Sequence, residues 1–128
     1  MEEYLHNSLT GKIIELFYKV YNELGYGFLE KVYETTLFIE LEKAGLKIKR
    51  QAPVQVKYDG RIIGEYIADI LVENKIILEI KAAKQLTQAH EAQLLNYLRA
   101  TGKEIGLLLN FGPKPEIRRK IFTPKTFK

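Results

Sequence analysis

Three charged side chains stand where buried strands should be apolar. Residues 66–81, YIADILVENKIILEIK, read as two apolar strands around the polar stretch Glu73-Asn74-Lys75, interrupted by Asp69, Glu79 and Lys81. Strands covered on both faces are near-continuous apolar runs, and an ionised group inside one is costly unless something pairs with it. Glu79 and Lys81 are two apart, so on a strand they share a face, while Asp69 lies on the preceding strand of the same hairpin. Two carboxylates and an ammonium then converge. Paired carboxylates suit a hard divalent cation such as magnesium, and a lysine beside them orients or helps deprotonate a metal-bound water. That is a phosphodiester-cleaving arrangement.

Convergence places a condition on the hairpin, because directly opposed residues of an antiparallel pair share a face. A two-residue loop at Glu73-Asn74 pairs Val72 with Lys75 and turns Asp69 away from Glu79. A three-residue loop, Glu73-Asn74-Lys75, pairs Val72 with Ile76 and Asp69 with Glu79. The metal reading therefore requires the odd loop or a bulge, with Asn74 or Lys75 left-handed.

Asp69, nine intervening residues and Glu79-Ile80-Lys81 resemble the D…(D/E)xK core of the PD-(D/E)xK nuclease superfamily, with Ala68 in place of the usual proline. Gly27-Phe28-Leu29-Glu30-Lys31-Val32-Tyr33 is similar to the GxxExxY signature of a small prokaryotic family within it, and Gln93-Leu94-Leu95-Asn96-Tyr97 resembles the QxxxY helix of its exonuclease-like branch. The chain is identified on this basis, over residues 8–112, as a GxxExxY family member. The resemblance implies an α/β restriction-endonuclease-like fold and a nuclease acting on nucleic acid, DNA in the first instance. Asp69 and Glu79, with the Ile80 carbonyl, would hold Mg2+ or Mn2+, and Lys81 would position the attacking water. Glu30 is implied as a third carboxylate near the metal. Gln93 is implied as a partner of phosphate or metal-bound water, Tyr97 as a contact to the nucleic-acid backbone, and Tyr33 as a packing residue.

The elements that must position these groups follow from periodicity. Ile13, Ile14, Phe17, Val20, Tyr21 and Leu24 form one stripe of a helix over residues 8–24, with Ser8 or Thr10 as its cap. Gly25-Tyr26-Gly27 breaks it, and a second helix over residues 29–44 carries the inward line Glu30, Tyr33, Leu37, Leu41, Ala44 before Gly45. A three-stranded meander follows: alternation through Val54, Val56 and Tyr58, a turn at Asp59-Gly60, a long strand over 61–72 with a bulge near Gly64, and a strand over 75–83. Thr87 caps a third helix ending near Gly102, on which His90, Gln93 and Tyr97 share a line; His90 alone reads as structural. Residues 105–111 are a buried strand that pairs parallel to an inner one, and 117–122 an edge strand.

Composition bounds the rest. One domain of 128 residues buries a sufficient core, and the absence of cysteine excludes disulfides and thiolate metal sites and fits a cytoplasmic protein. No apolar run approaches a membrane span. The net charge of +4 divides into +5 over residues 113–128 and −1 over the remainder, so Arg118, Arg119 and Lys120 in this tail are candidate phosphate contacts. Lys47, Lys49, Arg50 and Lys57 form a second basic group on the meander. Two alternatives stand beside the nuclease: a nucleic-acid or protein binding module without turnover, and a homodimeric scaffold whose buried charges form structural ion pairs.

Overall fold

The computed structural model describes residues 6–123, and the element order is α1 (Asn7–Leu24), α2 (Glu30–Lys43), β1 (Ile48–Tyr58), β2 (Arg61–Val72), β3 (Ile76–Lys81), α3 (Gln88–Thr101), β4 (Ile105–Phe111) and β5 (Pro115–Ile121). The five strands form one mixed sheet in the order β1-β2-β3-β4-β5. β1, β2 and β3 are the expected antiparallel meander, α3 carries the chain back to place β4 parallel to β3, and β5 closes the far edge antiparallel to β4. This is an α/β restriction-endonuclease-like fold. Among the described residues no helix is long and apolar enough to cross a membrane.

Helices cover both faces of the sheet, and strand parity divides the core accordingly. Ile70, Val72, Ile76, Leu78, Ile80, Leu107 and Leu109 pack with Ile13, Phe17, Tyr33, Leu37 and Leu41 of α1 and α2. Ile77 and Leu108 pack with Leu94, Tyr97 and Leu98 of α3. Every residue of β4 is buried, as expected of a strand covered on both sides. Gly106 lets α3 approach it closely, since a Cβ there would lie 2.6 Å from Leu94 Cδ1.

Two local expectations are corrected. α1 begins at Asn7 after His6, with no side-chain cap, so neither Ser8 nor Thr10 serves as one. Thr10 is instead turned into the core with its hydroxyl unpaired, where helix packing outweighs capping preference. On α2 the inward line is Tyr33, Glu34, Leu37 and Leu41, while Glu30 and Ala44 are exposed. Elsewhere the local chemistry behaves as read: Asp59 and Gly60 turn the first hairpin with φ of 54° and 77°, the register slips beside Gly64, and Gly102 closes α3 at φ 78°. The expected edge strand is β5, starting two residues earlier.

Candidate active site

The β2–β3 ladder runs Val72↔Ile76, Leu71↔Ile77, Ile70↔Leu78 and then opens. In place of the next rung, the Asp69 N–H donates to Glu79 Oε2 at 2.9 Å and the Ile80 N–H donates to Asp69 Oδ2 at 2.7 Å. Beyond this point β2 continues along β1, whereas Glu79, Ile80 and Lys81 continue along Leu108, Leu109 and Asn110 of β4. The two carboxylates therefore sit in the crotch of a forked sheet. The loop between the strands has the three residues that their convergence requires. Glu73 and Asn74 are left-handed (φ 52° and 57°), Lys75 is not, and the Lys75 N–H donates to Val72 O at 2.9 Å.

Burial dominates the electrostatics of the pair. It raises the Asp69 carboxyl to about 6, with Glu34 and Glu30 adding to the rise. It raises Glu79 to about 8, with the Asp69 charge next in effect. The Lys81 ammonium and the backbone N–H donors act on both in the opposite sense. A buried acid and a half-buried one that repel each other are relieved either by protons or by a cation. Magnesium and manganese are commonly held through one or two carboxylates with water completing the shell, so this donor set fits them. Among the described residues, however, no three acidic or histidine side chains form a metal-holding group. Glu30 thus stands exposed at the start of α2, felt by both carboxylates as a charge and not gathered with them.

Tyr33 explains much of the geometry at the start of α2. Its ring is fully buried and stacks on Phe111 at 4.5 Å, and its hydroxyl donates to Gly25 O while accepting the Phe28 N–H at 3.1 Å. Tyr33 thereby ties together the glycine turn that presents Glu30, which is a structural role, as expected.

On α3, Gln93 and Tyr97 line one groove, and His90 does not join them. His90 folds back into a reciprocal cap with Thr87, accepting the Thr87 N–H on Nδ1 while its own N–H donates to Thr87 Oγ1. Tyr97 is buried beside Tyr66, with ring centroids 6.0 Å apart, and burial followed by the Glu79 and Asp69 charges raises its phenol. Gln93 is exposed and lines a groove of about 1300 Å³ between α3 and the β1–β2 hairpin. Lys49, Lys57, Arg99 and Lys103 line the same groove, and among the described residues no acidic one does. Asp69 and Glu79 are not part of its lining; Tyr97, which is, feels both of their charges.

A model of the PD-(D/E)XK nuclease superfamily matches residues 7–120. This chain belongs to that superfamily. Its fold is similar to that of SSO0001, at 17% identity and a TM-score of 0.60, covering 74% of this chain and 50% of SSO0001. The chain thus spans half the length of that protein. A Holliday junction resolvase, Hjc, from Archaeoglobus fulgidus is 23% identical, with a TM-score of 0.45, covering 72% of this chain and 71% of the resolvase. Among curated proteins none matches.

In this superfamily member residues Pro115–Ile121 of the basic C-terminal segment form an edge strand. Arg118 pairs with Glu91 and Glu116 at 3.5 and 3.7 Å, and Lys120 holds Glu91 at 2.9 Å, so two of the three candidate phosphate contacts are bound to acids. Arg119 is engaged as well. Lys125 and Lys128 lie outside the described residues.

Three polar residues around the fork escape a reading of the sequence. Asn110, fully buried, accepts the Ala83 N–H at 2.8 Å and donates to Ala83 O at 3.0 Å, fixing the chain just past Lys81. A Cβ at Gly112 would lie 2.0 Å from the same Ala83 oxygen. A lone amide inside Leu107-Leu108-Leu109-Asn110-Phe111 was open to the argument that singles out Asp69 and Glu79. Glu34 and Gln51, hydrogen-bonded to each other at 2.9 Å, offered less signal. Glu34 adjoins the inward line of α2 only once the helix is oriented, and glutamine is no marker of a left-handed backbone.

Proposed function

We propose that this protein is a metal-dependent nuclease of the GxxExxY family that hydrolyses phosphodiester bonds of nucleic acid, DNA in the first instance, in the cytoplasm. The observation that carries the proposal is the exchange at the fork, where Asp69 and Glu79 replace a rung of the ladder with Lys81 two residues on. A structural ion pair has no need to break a sheet or to hold a half-buried acid against a buried one. Asp69, Glu79 and the Ile80 carbonyl would hold magnesium or manganese. The ion, when bound, supplies charge to polarise the phosphate and to acidify a water.

The chain's own groups do the remainder. Lys81 leaves the fork on the same strand face as Glu79, where its ammonium orients a water and offsets charge developing on the phosphate. The Tyr97 phenol, raised by burial and by the Glu79 and Asp69 charges, stays protonated at neutral pH and is available as a hydrogen-bond donor. The acid-free groove with Lys49, Lys57, Arg99 and Lys103 supports the nucleic-acid assignment, because phosphate affinity comes chiefly from such cations. The test is cleavage of single-stranded, duplex and branched DNA and RNA with Mg2+ or Mn2+, with Glu79→Gln as control. Equal cutting by wild type and Glu79→Gln would place any activity outside this site. Metal uptake and nucleic-acid binding without cutting would make the protein a binding module.

A further inference from the structure

The rungs Arg50↔Ile70 and Ala52↔Ala68 bracket Gln51 and Asp69, so Gln51 lies directly across from Asp69 on β1. Its φ is 52°, left-handed in mid-strand, where a residue with a Cβ is disfavoured and glutamine has no special tolerance. The strand pair turns over there. Ile70 packs under α1 and α2 while Ala68, two residues away, packs under α3, although alternation would place both on one face. β1 behaves alike: Arg50 reaches Glu34, Thr35 and Phe38 of α2, and Ala52 packs under α3. Asp69 occupies the turnover point, the place from which its carboxylate reaches the Ile80 N–H.

A strained residue persists only where its surroundings hold it. Glu34 supplies the hold. Its carboxylate, only 7% exposed, accepts Gln51 Nε2 at 2.9 Å and Arg50 Nε at 3.4 Å, joining α2 to the two residues at the turnover. We propose that Glu34 and Gln51 are positioning residues for Asp69: the Glu34–Gln51 hydrogen bond keeps residue 51 left-handed, and this backbone state sets Asp69 against Glu79. Neither residue touches the reacting atoms. The consequence for metal rests on the proposed nuclease activity; the consequence for the backbone does not.

Two readouts separate these. The first is amide hydrogen exchange at Asp69 and Ile80, whose N–H groups are the two bonds of the fork, with Val20 and Leu107 as core controls. Glu34→Ala and Gln51→Ala should speed exchange at 69 and 80 about tenfold, on the order of the left-handed penalty, and leave the controls unchanged. Gln51→Gly, which reaches φ 52° without that penalty, should stay near wild type and should restore protection in the Glu34→Ala background. That order reverses an ordinary strand, where glycine is worse than alanine. Unchanged exchange in both alanine variants, a glycine variant worse than alanine, or no restoration by glycine would each overturn the proposal. The second readout is Mn2+ titration, by calorimetry and by cleavage. The alanine variants should need about tenfold more Mn2+ with little change in rate at saturation, the same factor carried to the metal. Wild-type protein that neither takes up Mn2+ nor cuts nucleic acid would overturn the nuclease reading alone, with the exchange data still deciding the role of Glu34 and Gln51.

Discussion

Asp69 and Glu79 each take a backbone amide from the other's strand: the Asp69 N–H lies 2.9 Å from Glu79 Oε2, and the Ile80 N–H lies 2.7 Å from Asp69 Oδ2. An acid pair held this way is tied together by backbone donors. Burial raises both carboxyls, to about 6 and about 8, above the values they have in the unfolded chain. The native state therefore binds more protons than the unfolded state between about pH 4 and 8, and stability falls as pH rises through this window. The metal-free protein should accordingly melt lower at pH 8 than at pH 5. Glu79→Gln should flatten the profile and melt higher than wild type at pH 8, and Mn2+ should raise the wild-type melting temperature most at the alkaline end. A wild-type melting temperature independent of pH, and unmoved by Mn2+, would contradict the electrostatics described for the fork.

Substitution of the three charged residues should separate chemistry from folding. Asp69→Asn, Glu79→Gln and Lys81→Met keep approximate volume and remove charge, so cleavage should drop by about 10²–10⁴-fold, the range for positioned acid–base groups, with melting temperatures at pH 7 equal to or above wild type for the two acid substitutions and equal to or below it for Lys81→Met, which removes the cation that favours both carboxylates. Glu30→Gln should reduce cleavage less, because Glu30 is exposed and acts on the pair only through its charge. Cleavage rates and thermal melts on one set of preparations check this. Loss of activity together with loss of fold in all three would point to a structural role for the charges.

Tyr33 gives a prediction of the opposite kind. Tyr33→Phe retains the stack on Phe111 but deletes the hydroxyl shared by Gly25 O and the Phe28 N–H, so it should cost about 1 kcal/mol per bond in urea unfolding. Cleavage at saturating metal should fall modestly, since the hydroxyl fixes the turn that presents Glu30. A variant with full stability and strongly reduced cleavage would move Tyr33 from the turn into the chemistry.

The fork was legible because its residues break a rule. Charges at Asp69, Glu79 and Lys81 in apolar runs demanded an explanation, and the parity of the hairpin then fixed the loop length that the structure has. Strand bounds were equally plain where alternation or a continuous apolar run met a glycine or proline, as at residues 61–72 and 105–111. Glu30 was misplaced because a periodicity of three and four does not separate a residue on the edge of the buried stripe from one inside it; Leu37 and Leu41 continue a line from Glu30 through Tyr33 as well as one from Glu34. Gln51 was beyond reach, because its backbone is dictated by contacts from α2 and not by its own preference. The basic tail misled for a similar reason: composition gives the charge of residues 113–128, while the pairing of Arg118 and Lys120 with Glu91 depends on how β5 lies beside α3.

That pairing leads to a contest between two basic surfaces. Lys120 and Arg118 are already bound to Glu91, whose carboxyl is held below its ordinary value chiefly by the hydrogen bond from Lys120, and a phosphate would have to displace it. Lys49, Lys57 and Lys103 line an acid-free groove that also holds Tyr97, whose phenol feels the Glu79 and Asp69 charges. Nucleic-acid binding measured in Ca2+, to hold cleavage in check, should therefore depend on the groove more than on the strand. Replacing Lys49, Lys57 and Lys103 together by alanine should weaken binding and reduce the slope of log K against log salt by up to about 0.9 for each duplex phosphate no longer neutralised. Replacing Arg118 and Lys120 should change that slope by less, and should destabilise the packing of β5 on α3 by no more than about 1 kcal/mol per pair, as expected for partly exposed ion pairs. A larger slope change from the β5 pair than from the groove triple would reverse the assignment and return the nucleic acid to the C-terminal strand.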